Sequence, residues 1–185
     1  MGRTVAMTDL RLRQRLEETH RDAFGWALYC CGGDRDQAED VLQTVYAQVL
    51  GQRARFDGRS SFKTWLYTII RRTAQRERLK LWKRWQRRTE DEPELPIEPG
   101  QEQLVYRREL AARLRKFLNR LSPRQQEVLR LVFYHGLTVE EAAGVLGISV
   151  GSARTHYERG KGRLAGLLRE SGWLEDEDER REVGA

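Results

Sequence analysis

Thr138-Val-Glu-Glu-Ala-Ala-Gly-Val-Leu-Gly-Ile-Ser-Val-Gly-Ser-Ala-Arg-Thr-His-Tyr157 holds the start signals of two short helices and the turn between them. Thr138, with Glu141 three residues on, is a capping box that opens a helix running through Leu146. Gly147 supplies the positive backbone angle of a tight turn. Ser149 caps again, and a last helix runs from Val150 to about Arg169. Small Ala142 and Ala143 let the two helices cross closely, while Leu146, Ile148, Ala153 and Tyr157 give them a shared apolar side. This is the pattern of a helix-turn-helix, whose second helix enters a major groove with its N-terminal residues at base edges. Its outward positions are Ser152, Arg154, Thr155, His156, Glu158, Arg159 and Lys161, followed by Arg163. Arg154 and Arg159 have the chemistry for guanine edges or phosphates. Glu158 is expected to pair with Arg154, with a cytosine amino group as its alternative partner. His156 reads as a phosphate or solvent neighbour, since no second metal ligand follows one turn later.

Upstream of this motif, Ser122-Pro-Arg-Gln125 combines a capping box with proline at the first helical position. The helix it opens buries Val128, Leu129, Leu131 and Val132 and ends at His135-Gly136. Before it, Leu110, Leu114, Phe117, Leu118 and Leu121 fall at helical spacing over about 103–120. Residues 89–102 carry six acids and no base, with Pro93, Pro96, Pro99 and Gly100 among them. Like-charge repulsion and proline make such a stretch extended, so 89–103 reads as a linker of about 45 Å at ~3.3 Å per residue. A second acidic run, Glu175 to Glu179, places a solvated tail at 171–185.

From Arg53 to Arg88 the balance reverses: thirteen Lys and Arg stand against Asp57 and Glu77. That charge repels itself unless a polyanion neutralises it, which points to nucleic acid. The bases fall in a turn, Arg53 to Arg59, and on a helix that Ser60 is placed to cap. Phe62, Trp65, Leu66, Ile69, Ile70 and Thr73 give this helix an apolar side. Phe62 and Trp65 read as core, whereas Tyr67, Trp82 and Trp85 are placed to meet a base or an aromatic neighbour. Two helices precede it. One covers 9–31, with Leu16, Phe24, Ala27 and Leu28 on one side, and ends at Gly32-Gly33. The next, capped by Asp34 or Asp36, runs to about Gly51 and buries Val41, Leu42, Val45, Tyr46, Val49 and Leu50. Its other face presents Asp36, Gln37, Asp40, Gln43, Thr44 and Gln48.

These signals make an all-α chain with two small helical domains, at 8–88 and 104–170. Its 185 residues carry a net charge of +6 and are 39% hydrophobic and 34% charged, which suits small cores under a large charged surface. No apolar run approaches the roughly 18 residues of a membrane span. The early charges Arg11, Arg13, Arg15, Glu17 and Glu18 leave no signal-peptide core. Cys30 and Cys31, adjacent, offer neither a disulfide framework nor a zinc quartet and read as core packing. A cytoplasmic chain without membrane insertion is expected. Three scattered histidines, no glycine-rich phosphate loop and no nucleophile–base pair argue for a binding protein with no cofactor or metal, not an enzyme.

Gly33 to Gln43, followed by Arg55-Phe-Asp-Gly-Arg-Ser-Ser-Phe-Lys-Thr-Trp-Leu-Tyr-Thr-Ile69, resembles region 2 of the extracytoplasmic-function sigma factors. Leu121 to Leu129, Gly136 to Ala143 and Leu146 to Thr155 look like sigma region 4. The resemblance covers about 140 of the 185 residues. It implies an alternative sigma factor that binds core RNA polymerase and directs initiation at particular promoters. By that resemblance Gln37, Asp40, Gln43 and Thr44 dock on the β′ clamp helices. Arg55, Arg59, Ser60, Lys63, Tyr67, Arg71, Arg72, Gln75 and Arg76 then open and read the non-template single strand of the −10 element. The helix-turn-helix reads the −35 duplex and packs on the β flap, and the linker spans the two elements. An anti-sigma factor is implied as a negative regulator. Two positions depart from the family pattern: Thr44 replaces an acid, and Arg72 replaces an Asn near the flipped base. The competing reading is a freestanding helix-turn-helix regulator that needs a resident sigma. A metal-dependent nuclease would require carboxylates that Asp36 and Asp40 alone do not supply.

Overall fold

The computed structural model describes residues 9–85 and 116–172, with side chains over 10–79 in the first stretch. Every regular element there is a helix: α1 Asp9–Cys30, α2 Arg35–Leu50, α3 Phe62–Trp85, α4 Pro123–Phe133, α5 Val139–Leu146 and α6 Val150–Glu170. The chain divides into two compact units. α1 to α3 belong to the first; α4, α6 and the start of α5 belong to the second. The linker at 89–103, most of the helix expected over 103–120, most of the acidic tail and the side chains of Trp82 and Trp85 lie outside the described residues.

Glycine permits the stop of α1. Gly32 and Gly33 have φ of 71° and 97°, and the Gly33 N–H reaches back to the Leu28 carbonyl at 2.8 Å. Asp34 then starts α2, its carboxylate accepting from the Gln37 backbone N–H at 3.0 Å. Ala38, Val41, Leu42, Val45 and Val49 form the buried stripe of α2. α2 packs on α1, which buries Leu12, Leu16, Ala23, Trp26 and Ala27, and on α3, which buries Phe62, Leu66, Tyr67, Ile70 and Ala74. Cys31 packs beside this core as a free thiol, and burial pushes it up to about 11, so it stays protonated near neutral pH.

Two expectations need correction here. Ser61, not Ser60, caps α3: its Oγ accepts from the Thr64 N–H at 3.2 Å, while Ser60 stays exposed. Leu50, expected in the core, is 37% exposed.

The second unit is built on Leu118, Leu121, Leu129 and Leu167, with Phe117, Tyr157 and Leu164 packed against them. The Gln125 side chain accepts from the Ser122 N–H at 3.1 Å, and Pro123 stands at the first turn of α4. Thr138 and Glu141 exchange both capping-box bonds, at 3.0 and 3.1 Å, and Ser149 accepts from the Ser152 N–H at 3.1 Å. Gly147 has φ 66° in the turn between α5 and α6.

α6 carries glycines of opposite consequence. A Cβ on buried Gly160 would lie 3.1 Å from both Gln125 Cβ and Leu129 Cδ1, whereas one on Gly162 would meet nothing within 4 Å. Gly160→Leu is therefore expected to overpack the α4–α6 contact and cost about 1–3 kcal/mol. Gly162→Ala should gain about 0.5–1 kcal/mol from chain entropy, raising the unit's melting temperature by about 2–8 °C. Thermal unfolding of both variants checks this; equal shifts in the same direction would contradict it.

Candidate nucleic-acid and polymerase interfaces

On α2, Asp40, Gln43 and Thr44 stand exposed on the side away from the buried stripe. They recur three and four residues apart, which keeps them on one face. Gln37 begins the same face, half-buried, its amide donating to Asp34 Oδ2 at 2.6 Å. Beside Gln43, α1 and α2 enclose a cleft of about 350 Å3 lined by His20, Phe24, Leu42 and Tyr46 among others. His20 Nδ1 and the Tyr46 hydroxyl are 3.0 Å apart across it, and burial raises the Tyr46 phenol to about 12.

The basic set is displayed mainly on the surface. Arg55, Arg59, Ser60, Arg72, Gln75 and Arg76 are exposed, and Lys63 and Arg71 are half-buried. Lys63 is held by Asp22 of α1 at 2.7 Å, and its ammonium lies 5.8 Å from the centre of the Tyr67 ring. Arg59 pairs with Asp57 at 3.2 Å in the turn before α3.

Tyr67 is the correction. Placed at the single strand by the resemblance, it is fully buried; of the two neighbours expected for it, a base or an aromatic ring, it meets the ring, stacked on Trp26 with centroids 5.9 Å apart. Its carbonyl accepts from the Trp26 indole N–H at 3.2 Å. Tyr67 shares its side of α3 with the buried Ile70 and Ala74, and the rotation of α3 in the bundle turns that side to Trp26 of α1. Trp65, expected in the core, is only half-buried, against Phe56 and Phe62 with centroids 5.3 and 5.5 Å away. Trp26 and Asp22 went unremarked in the sequence; both act through partners 41 residues away, which no local pattern signals.

On α6, Ser152, Arg154, Thr155, Glu158, Arg159 and Lys161 are exposed and His156 is half-buried. The expected Glu158–Arg154 pair does not form. Glu158 meets Lys161 at 3.2 Å, and Arg154 Nη2 reaches Glu140 Oε1 on α5 at 2.7 Å. That guanidinium bond holds the Glu140 carboxyl below its usual range. Among the described residues no His, Cys, Asp or Glu cluster could hold a metal, and no helix is long and apolar enough to cross a membrane.

A helical bundle with a basic turn and helix, linked to a capped helix-turn-helix, defines a transcription protein of the DNA-binding class. Residues 16–86 match the family model for Sigma-70 region 2, and residues 111–164 match that for Sigma-70, region 4. The chain is 31% identical over 148 residues to the ECF RNA polymerase sigma factor SigX of Bacillus subtilis, covering 76% of this chain and 75% of SigX. It is 29% identical to the ECF RNA polymerase sigma factor EcfG of Rhodopseudomonas palustris, over 74% of each. The sigma factor RpoE of Bartonella quintana, solved in complex with the anti-sigma factor NepR, superposes with a TM-score of 0.62 at 25% identity, covering 85% of this chain and 96% of that one. The chain belongs to the extracytoplasmic-function sigma factors of the sigma-70 family. It is an alternative sigma factor that directs promoter-specific transcription, and the freestanding-regulator reading is not favoured. Members of this family are regulatory proteins.

Proposed function

We propose that this sigma factor docks on the β′ clamp helices of core RNA polymerase through Gln37, Asp40, Gln43 and Thr44. Arg55, Arg59, Ser60, Lys63, Arg71, Arg72, Gln75 and Arg76 guide and read the non-template strand of the −10 element. Ser152, Arg154, Thr155, His156, Glu158, Arg159 and Lys161 face the −35 duplex, with the β flap as a second contact of that unit. An anti-sigma factor covers these surfaces when the chain is held inactive; the complex of the Bartonella relative supports this part. The chain brings no catalytic group of its own and works in the cytoplasm, where its polymerase is.

The observation that carries the reading is the division of α2. One face is buried against α1 and α3, and the opposite face keeps Asp40, Gln43 and Thr44 exposed. Water alone would satisfy such side chains; what supports a protein partner is that this face lies within the match to Sigma-70 region 2. Gel filtration of the chain with bacterial core polymerase tests it. The wild-type chain should co-elute, and Asp40→Arg with Gln43→Ala should lose most of the complex, while Arg154→Ala should keep it. Undiminished co-elution of the α2 variant would remove this docking surface.

A further inference from the structure

We propose that Glu140, on the first helix of the helix-turn-helix, is a positioning residue that fixes the orientation of Arg154 and so sets base preference at the upstream promoter element. The inference rests on the reading of Arg154 as a base contact. It adds a residue from outside the recognition helix.

The geometry begins with two adjacent glutamates in the first turn of α5. Glu141 is engaged locally in the capping box with Thr138, at 3.0 and 3.1 Å. Glu140 has the Thr138 hydroxyl and its own backbone nearby, and its carboxylate also reaches across the motif to Arg154, fourteen residues on, at 2.7 Å between Oε1 and Nη2. Both side chains stay largely accessible, at 52% and 67% of their full exposure. Arg154 is the fifth residue of α6, in the part of a recognition helix that approaches base edges.

A guanidinium has five N–H donors in a rigid fork. One bond to Glu140 restricts the rotamers of a long side chain and leaves donors for the two acceptors of a guanine edge. The same bond offsets the positive charge of Arg154, so the pair has little attraction for a phosphate of arbitrary sequence. Glu140 therefore acts in two directions: it favours the aligned base contact and weakens non-specific backbone contact. Without the carboxylate, Arg154 becomes a mobile cation that can reach phosphates.

The test uses Glu140→Gln, which keeps size and removes charge at an exposed position, beside Arg154→Ala and the double variant. Holoenzymes formed with full-length chain and core polymerase are offered duplex DNA randomised across the upstream element, and the retained sequences are read. The base-pair position that loses preference in Arg154→Ala should also be loosened in Glu140→Gln, and the double variant should be no worse than Arg154→Ala. Binding of the free full-length chain to a scrambled duplex is then titrated with salt. Glu140→Gln should steepen the salt slope by about 0.9 and tighten binding about 5-fold at 0.15 M salt, the effect of one added phosphate contact. Full retention of base preference in Glu140→Gln, at a position that Arg154→Ala loses, would overturn the role of Glu140 alone. No lost position in Arg154→Ala would overturn the base-contact reading itself. A pair that served only packing would leave both the preference and the salt slope unmoved.

Discussion

Trp26→Ala is expected to remove about 3–5 kcal/mol from the N-terminal unit, the range for truncating a buried tryptophan. Trp26 is fully buried and stacks with Tyr29 and with Tyr67, whose ring centroids are 5.5 and 5.9 Å away. Its indole N–H also ties α1 to the Tyr67 carbonyl on α3, so the substitution opens a cavity and takes away that carbonyl's indole donor. At 0.05–0.15 kcal/mol per residue, a unit of roughly 80 residues has only about 4–12 kcal/mol in hand. The variant should unfold the bundle at far lower urea, or leave it unfolded at 37 °C, in circular dichroism of the full chain. A loss below about 1 kcal/mol would mean that Trp26 does not anchor this core.

The second large effect is electrostatic. Arg55, Arg59, Arg72 and Arg76 are all exposed, and none lies in the core. Each phosphate contact on single-stranded DNA contributes about 0.7 to the slope of log affinity against log salt. If all four meet the strand, changing them to Ala should lower the slope by about 2.8. At 0.15 M salt that is a loss of roughly 200-fold, taking 1 M as the point where the term vanishes. Fluorescence anisotropy of the holoenzyme on a non-template oligonucleotide, over a salt series, measures it. Stability should hardly change, because these side chains are exposed and the Arg59–Asp57 bond is a surface ion pair, worth about 0–1 kcal/mol. An unaltered slope would remove these arginines from the strand path.

What could be read from the sequence was local. Thr138, Ser149 and Gly147 announce their helix starts and turn through bonds that span three residues or a single φ, and the structure has each of them. The stripe of α2 was legible for the same reason: Val41, Leu42, Val45 and Val49 repeat with the helical period. What failed depended on rotation and on distant partners. Tyr67 and Trp65 are two residues apart on one helix, and period alone did not say which would face α1. Ser60 is the cap the sequence points to, but α3 starts at Phe62, so Ser61, one residue later, takes that place. Arg154 had Glu158 one turn away, yet it bonds to Glu140 on another helix. Asp22 and Lys63 likewise pair across 41 residues. The basic character of residues 53–88 was visible in composition; that Asp22 pairs with Lys63, and Glu140 with Arg154, was visible only in three dimensions.

The most direct measurement is run-off transcription from a random promoter library, using purified core polymerase with and without this chain. Transcripts should start at defined positions only when the chain is present, and the enriched templates should share two short motifs upstream of the start. Initiation that needs a resident sigma factor, or enrichment of no shared motif, would contradict the account.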